Sequence, residues 1–341
     1  MSRLRRALPS LAQYALVLWV AATINFALPH LAPGDPVEYL YVGPIQGLTE
    51  QQLTQIRLGY GLDRPILEQY IGFWAGLVRG DLGISVEHNR PVVDLLLERL
   101  PWTLALVGLG ILGATVIGTG LGALAAWRRG SRRDIALVAG VLALDSMPGF
   151  WIGMMLIAVF AVQLGWFPSF GATEITADGA AAIGELLRRL VLPVVTIMLA
   201  ILGSIFLLAR AAMISVLDEP FVRLARAKGL SERRVALHHA LRNALLPVFT
   251  NVTVVVGALL SGAVVVETVF AYPGLGRLIY EAVTARDYPL LQGTFLLVTV
   301  GVIVVNLLAD LTYPLLDPRV RRDVPTETVP AGMGPVREAR P

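Results

Sequence analysis

This sequence has no cysteine and few charged residues. The absence of cysteine from its 341 residues excludes disulfide scaffolds, thiolate metal sites and cysteine nucleophiles. Charged residues make up 16% of the chain and hydrophobic residues 55%, whereas soluble proteins carry about 25% charged residues. So little charge cannot cover the surface of a soluble fold of this size, and we therefore expect lipid to solvate much of the chain. The same composition excludes a disordered protein.

Sequence motifs of common enzymes are also missing. The chain contains no HExxH, no GxSxG and no GxxxxGK[ST], and its four histidines are His30, His88 and the adjacent pair His238 and His239. We therefore predict no catalytic residue, no metal site and no bound cofactor, so that any ATP hydrolysis would belong to another chain.

The net charge of +3 is too small to indicate a nucleic-acid partner.

Six stretches are apolar and long enough to cross a bilayer as helices, which takes about 20 residues. They cover residues 7–34, 100–127, 135–165, 190–209, 243–266 and 288–309. The third contains Asp145, and the others carry no internal charge. None shows the alternating polarity of a β-barrel strand. The predicted fold is an all-α polytopic membrane protein with six transmembrane helices.

The basic residues predict the orientation of these spans. Cytoplasmic termini would place 19 of the 28 Arg and Lys residues on the inner side, in agreement with the positive-inside rule. A cleaved signal peptide is the alternative for the first span, but its apolar run exceeds the roughly 7–15 residues of a usual signal core. We expect a multi-pass protein with both termini in the cytoplasm.

The predicted organisation has four parts. Residues 1–31 form the N-terminal tail and first span, 32–99 a small extracytoplasmic subdomain, 100–316 a five-helix core, and 317–341 a disordered tail. Within the subdomain we expect a helix capped by Thr49 and Gln52, a second helix from Pro65 to Val78, and a surface segment that ends where Pro101 starts the second span. The subdomain either caps the outer helix ends or docks an extracytoplasmic partner.

Asp145, Ser146 and Pro148 interrupt the third span with polar and helix-breaking residues. An ionisable residue inside a membrane span is a functional candidate, because burying a charge in lipid is costly. Asp145 has two interpretations: it lines a polar pathway or gate, or it caps the half-helix that follows Pro148. Glu267 and Asp310 lie at the ends of spans, where we expect solvent to reach them.

A basic segment, 210–243, joins the fourth and fifth spans. Pro220 favours a helix start and Gly229 a left-handed helix end. Phe221, Leu224, Ala225 and Lys228 would share one face of this short helix, and Ser231 would cap the next one. Basic residues alone would indicate only that this loop lies on the inner side of the membrane. A capped helix in this position favours a docking element for a partner.

Motifs along most of the chain resemble one family. They are A-R-A-K-G-L-S (225–231), H-A-L-R-N-A-L-L-P (239–247), L-A-P-G-D-P (31–36), G-L-D-R-P (61–65), G-D-L-G (80–83), R-P-V-x-D (90–94), S-M-P-G-F-W-I-G (146–153), L-G-W-F-P (164–168), E-T-V-F-A-Y-P-G-L-G (267–276) and D-Y-P-L-L-Q-G (287–293). In this order they resemble the permeases of ABC importers, and most of all the first-type permease of the oligopeptide, dipeptide and nickel branch. The loop signature of the broader family begins E-A-A, where this chain has Arg223, Leu224 and Ala225, and this departure resembles the peptide branch.

The resemblance implies a type I importer permease fold in the bacterial inner membrane. It implies a second homologous permease, one or two ATPase subunits that hold ATP and Mg, and an extracytoplasmic substrate-binding protein. The ATPase-coupling helix would consist of Phe221, Val222, Arg223, Leu224, Ala225, Arg226, Ala227, Lys228 and Gly229. Peptides are the expected substrate, and nickel or another small solute is the alternative. The alternatives from other classes are a membrane-embedded enzyme that uses Asp145 and a membrane scaffold.

Overall fold

A computed structural model describes residues 2–31, 49–59, 63–171 and 180–316 of the chain. The first half contains α1 (Ser2–Leu31), α2 (Glu50–Gly59), α3 (Ile66–Arg79), α4 (Val92–Trp127), α5 (Arg132–Asp145) and α6 (Gly149–Leu156), which continues as a π-helix, Ile157–Gln163. The second half contains α7 (Ala180–Leu217), α8 (Pro220–Ala227), α9, α10 (Val264–Val269), α11 (Leu275–Ala285) and α12 (Tyr288–Leu316). Helix α9 joins Glu232–Arg234, a π-helical stretch Val235–Ala240, and Leu241–Gly262. The predicted tail, 317–341, lies outside the described residues.

Five of the described helices are long and apolar enough to cross a membrane. They contain the stretches Ala12–Leu31, Val92–Trp127, Ala181–Leu217, Glu232–Ala258 and Tyr288–Thr312. A sixth candidate is the pair α5 and α6, which bends by 96° between its two halves. Length and composition alone leave open whether this pair is one broken span or a re-entrant loop.

Contacts with α7 indicate that the bent pair crosses the bilayer. Near its start, Asp134 forms an ion pair with Arg210, at 2.8 Å from Nε to Oδ1. Beyond its end, the carbonyl of Trp166 accepts a hydrogen bond of 2.7 Å from Arg188. Arg188 and Arg210 are about 33 Å apart along a straight helix, which is close to the thickness of the hydrocarbon core. The pair therefore counts as one span, and the described residues contain the six spans that the sequence predicts.

Close packing of α4 on α7 forms the centre of the bundle. Glycines of α4 meet bulky side chains of α7, Gly110 on Ile197 and Gly118 on Ile205. The approach is closest at Gly122, where an added Cβ would lie 2.6 Å from the carbonyl oxygen of Phe206. The small residues of the second span thus allow close helix packing.

Helix α4 starts earlier than the sequence predicts. The expected surface segment before Pro101 is wrong, because the helix begins at Val92 and runs through Pro101. Val92, Leu95 and Leu96 are buried against residues of α11 and α12. Apolar contacts on this first turn outweigh the backbone hydrogen bond that a proline inside a helix removes.

Two further helix starts can be compared with the sequence predictions. Thr49 and Gln52 form the predicted capping box, in which the Thr49 N–H donates to Gln52 Oε1 at 2.8 Å. The helix that contains the fifth span is longer at its start than the predicted apolar stretch from 243, because α9 already starts at Glu232, and it ends at Gly262. Its first residues lie beside α8 instead of within a separate short helix.

Helices α1 and α12 run antiparallel. Tyr14, near the start of the apolar stretch of α1, donates to Asp310 at 2.7 Å near the end of α12. At the opposite end, the side chains of Asn25 and Gln292 each donate to the other residue's carbonyl at 2.7 Å. The start of α1 and the end of α12 therefore lie at the same end of the bundle.

Candidate functional site

The short helix α8 has defined ends. Pro220 occupies its first turn, where the missing N–H of proline costs nothing. At the other end the N–H of Gly229 donates to the carbonyl of Arg226 and that of Leu230 to the carbonyl of Ala225. This pair of bonds is a Schellman motif, and Gly229 has the left-handed φ of 76° that the motif needs. The predicted start and stop of the helix are confirmed.

One face of α8 is buried against neighbouring helices. Val222 and Ala225 are fully or almost fully buried and pack with Val216 and Leu217 of α7 and Val235 of α9. The expected common face of Phe221, Leu224, Ala225 and Lys228 is wrong in one member, because Ala225 points into this core. Spacing alone could not decide which side of a short helix its neighbours would cover.

The opposite face of α8 is exposed and both apolar and basic. Phe221 is 40% exposed and Leu224 56% exposed, although both are large apolar side chains. Arg223, Ala227 and Lys228 are exposed beside them. An apolar and cationic surface on a short rigid helix is suited to a partner with a groove that carries acidic groups.

Arg226 attaches α8 to the rest of the bundle. Its guanidinium lies 5.8 Å from the ring centre of Trp127, at the end of α4. It also pairs with Glu232, at 3.3 Å, at the start of α9. Cation–π contacts and exposed ion pairs contribute about 1 kcal/mol each at most. The main effect of these two contacts is therefore to hold α8 in position. Through its core and Arg226, α8 contacts the ends of three spans.

The break in the third span is the second predicted site. Asp145 ends α5, and Ser146 donates its hydroxyl back to the carbonyl of Leu142 at 2.8 Å. Pro148 precedes α6 and no side chain caps that helix. The interpretation of Asp145 as a cap is therefore wrong. Asp145, Ser146 and Pro148 are all exposed on the surface of the single chain.

Asp145 lies against α7 at the depth of the bilayer. Its side chain occupies the space next to Gly203, where a Cβ on Gly203 would collide with the Asp145 carboxylate. Gly203 is seven residues from Arg210, which is about 10 Å along the helix. The carboxylate is thus placed inside the hydrocarbon layer on a face that none of the described residues covers. A charge in that position requires water or another protein beside it.

Glu267 is the main feature that the sequence analysis missed. Solvent was expected to reach it, but its side chain is completely buried. The carboxylate accepts a hydrogen bond of 2.7 Å from the Thr103 hydroxyl and one of 3.0 Å from the N–H of Arg277. Burial raises the pKa of Glu267, against the opposing effect of these donors.

Glu267 and Thr103 together cap α11 from outside. The N-cap residue of α11 is Gly274, which has no side chain to accept from the first N–H groups. Thr103 accepts from the N–H of Leu275 at 2.8 Å, and Glu267 accepts from the next two residues, Gly276 and Arg277. A Cβ on Gly274 would collide with the Glu267 carboxylate. The sequence does carry one signal for this contact. Helix α11 starts at a glycine, which has no side chain to cap it, so another residue must accept from its first N–H groups.

A second buried carboxylate, Asp287, holds the loop that precedes α4. Asp287 is completely buried and caps α12 by accepting from the N–H of Leu290 at 3.0 Å. It also accepts from the Ser85 hydroxyl at 2.5 Å and from the N–H of Glu87 at 3.1 Å. The motifs at 80–83, 90–94 and 287–293 therefore meet at one corner of the structure.

Metal ligands do not cluster in the part of the chain that is described. Across residues 2–31, 49–59, 63–171 and 180–316, no three His, Asp or Glu side chains are grouped to hold an ion.

Family models match nearly the whole chain. Residues 118–322 match the family described as binding-protein-dependent transport system inner membrane component. Residues 4–107 match the N-terminal family of the same transport-system membrane component.

Curated relatives cover the chain at high identity. The dipeptide transport system permease protein DppB of Escherichia coli (strain K12) is 38% identical over 317 residues, which cover 87% of this chain and 93% of the relative. The di/tripeptide transport system permease protein DppB of Pseudomonas aeruginosa (strain UCBPP-PA14) is 40% identical over 314 residues, with the same coverage.

A solved structure shows the same fold. A chain of the MetNI methionine ABC transporter, in an inward-facing conformation, matches with a TM-score of 0.54 at 18% identity. The match covers 65% of this chain and 96% of that chain. At this identity the likeness concerns the fold alone, which agrees with the predicted type I importer permease fold.

We predict that Glu267 makes stability depend on pH with a defined sign. Its raised pKa means that the folded state holds the proton more tightly than the unfolded state. Its contribution is therefore fully present below the ordinary pKa of about 4.3 and is lost as pH rises through the folded pKa. The melting temperature of the wild type should fall relative to that of Glu267→Gln as pH rises above about 4.

The control for this measurement is Glu98→Gln, which changes a carboxylate that is 51% exposed. It should keep the pH profile of the wild type. A wild type that gains stability over Glu267→Gln as pH rises would contradict the assignment of burial as the dominant effect.

Proposed function

The chain belongs to the family of binding-protein-dependent transport system inner membrane components and is a permease subunit of an ABC importer, and on this basis we propose that it carries di- or oligopeptides. It is a multi-pass inner-membrane protein and a transport subunit, not an enzyme; the ATPase is a separate subunit. The peptide substrate is supported by the relatives in Escherichia coli and Pseudomonas aeruginosa, which are dipeptide and di/tripeptide permeases. Family membership removes the alternative of an enzyme built on Asp145.

The proposed complex contains more than this chain. A second homologous permease would complete the path across the bilayer, and one or two ATPase subunits, with ATP and Mg bound to them, would lie beneath. An extracytoplasmic binding protein would deliver the peptide. Exposed Asp145 supports a second permease, because this face needs water or protein beside it.

The exposed face of α8 is the observation that carries the proposed coupling to ATP hydrolysis. Phe221, Leu224 and Lys228 would enter a cleft of the ATPase, while Val222 and Ala225 hold the helix on the bundle. A helix with fixed ends and a buried face moves as a unit. Closure of the ATPases would therefore shift α4, α7 and α9 together between inward- and outward-open states.

In the proposed path, Asp145 faces the space between the two permeases. A carboxylate there attracts the ammonium group of a peptide as it passes, while Ser146 and Pro148 keep the helix broken at the same level. Gly203 is part of this arrangement, because it makes room for the carboxylate.

We expect Asp145→Asn to reduce peptide uptake by about tenfold, as loss of roughly one charge-assisted hydrogen bond would do. Gly203→Ala should reproduce the defect without changing charge, since its methyl group displaces the Asp145 side chain. Uptake of a radiolabelled dipeptide by cells with equal membrane levels of each variant is the measurement. Glu98→Gln serves as the control, and wild-type uptake in both variants would contradict the assignment.

The proposed orientation has both termini in the cytoplasm. It rests on the distribution of basic residues and on the antiparallel contact of α1 and α12. Because the chain lacks cysteine, single cysteines at Glu87 and Ser231 can report it. A membrane-impermeant thiol reagent should label Glu87→Cys in intact cells and Ser231→Cys only after permeabilisation. The reverse pattern would show that the orientation is inverted.

The coupling proposal is tested by Gly229→Val. Nothing lies within 4 Å of a Cβ placed on Gly229, so the variant adds left-handed backbone strain and no collision within the chain. Such strain costs about 1–3 kcal/mol for a side chain that resists this geometry. We expect uptake to fall about tenfold or more while membrane insertion stays normal.

The matched control is Gly229→Asn, because asparagine tolerates the left-handed conformation at a helix end. It should retain most of the uptake and the peptide-stimulated ATPase activity that Gly229→Val loses. Normal uptake in Gly229→Val would contradict the role of the helix end. Equal losses in the two variants would place the effect in a contact of the side chain instead.

A further inference from the structure

Helix α3 has three distinct faces. Tyr70, Phe73 and Leu77 lie on one of them and are partly buried. Leu67, Ile71, Trp74 and Val78 recur at helical spacing on the second, and three of them are strongly exposed. Glu68, Gly72 and Arg79 lie on the third and are exposed. One face therefore packs on the protein, one is apolar and not covered by any described residue, and one is polar.

The protein face packs on the C-terminal half of the first span. The Tyr70 hydroxyl is 2.8 Å from the hydroxyl of Thr23. The ring of Phe26 lies 5.2 Å from that of Tyr70 and 5.6 Å from that of Phe73, measured between ring centres. These contacts fix the height of α3 relative to α1.

That height is below the end of the span. The described part of the apolar stretch of α1 runs to Leu31. At about 1.5 Å per residue, Phe26 lies about 7 Å and Thr23 about 12 Å inside that end. Side chains of α3 thus reach into the layer that the span itself occupies. A partner in the aqueous phase would have to enter the bilayer to cover this part of α3.

The second face of α3 is apolar, like the lipid layer that surrounds this part of α1. Leu67 is 68% exposed, Ile71 60% and Val78 83%, so the stripe is open along the length of the helix. The exposed cations Arg64 and Arg79 lie just before the helix and at its last residue, where lipid phosphates would be within reach. An amphipathic helix in the interface buries its apolar face by about 5–10 Å, which is comparable with the depth of about 7–12 Å at the contacts with α1.

We propose that α3 is an interfacial membrane helix whose stripe of Leu67, Ile71, Trp74 and Val78 is covered by lipid acyl chains of the adjacent leaflet. Helix α3 is then anchored in the bilayer surface and does not stand above it. By packing on Thr23 and Phe26, the anchor also holds the end of α1 at a fixed depth.

Spin labels can test this proposal on the full chain, because it has no cysteine of its own. Single labels at Ile71→Cys and Val78→Cys report the stripe, and a label at Glu68→Cys on the same helix is the matched control. The protein is reconstituted in nanodiscs of phosphatidylethanolamine and phosphatidylglycerol. Collision of each label with oxygen, which concentrates in lipid, is compared with collision with a water-soluble nickel complex.

The stripe labels should collide several-fold more with oxygen than with nickel, and the Glu68 label should show the opposite preference. Equal nickel access at the stripe and at Glu68 would overturn the proposal, because the stripe would then face water. Stripe labels shielded from both reagents, in the lone chain or in the assembled transporter, would overturn it as well. That result would assign the stripe to protein.

Discussion

A carboxylate near lipid needs hydrogen-bond donors, and this chain meets that need by joining helices to one another. Asp134 ties α5 to Arg210 of α7, and Asp287 ties the start of α12 to the loop before α4. Glu267 and Thr103 complete the start of α11, which has no capping side chain of its own. Buried carboxylates thereby fix the ends of the bundle. Asp145 differs from them, since it is exposed inside the hydrocarbon layer on the single chain.

These links give the chain rigid units at both ends. At one end, Glu267 and Asp287 lock α4, α11 and α12 into a corner with a continuous apolar core. At the other, Val222, Ala225 and Arg226 hold α8 on the ends of three spans. Between them, α4 and α7 pack so closely that Gly122 has no room for a methyl group. Force applied to α8 would reach α4 through well-packed contacts, which supports a rigid-body mechanism of transport.

Features set by local sequence could be predicted, and features set by distant contacts could not. Pro220 and Gly229 define α8 because a proline φ and a left-handed glycine act within one turn. Pro101 was misread as a helix start, since the buried packing of Val92 that continues the helix depends on residues far along the chain. Glu267 was missed for the same reason: its donor Thr103 is 164 residues away. The sequence predicts a break at Asp145 but does not predict its angle of 96°. That angle depends on contacts with α7, where Asp145 lies against Gly203.

The central claim is that this chain works as one permease within an ATP-driven complex. The most direct test is gentle detergent purification of the tagged full chain from its native membrane, after crosslinking, followed by mass spectrometry of the proteins that accompany it. The account predicts a second six-span permease together with an ATPase that carries a GxxxxGK[ST] motif. Recovery of the chain alone, or only with copies of itself, would contradict the account, because the energy source that it requires would be missing.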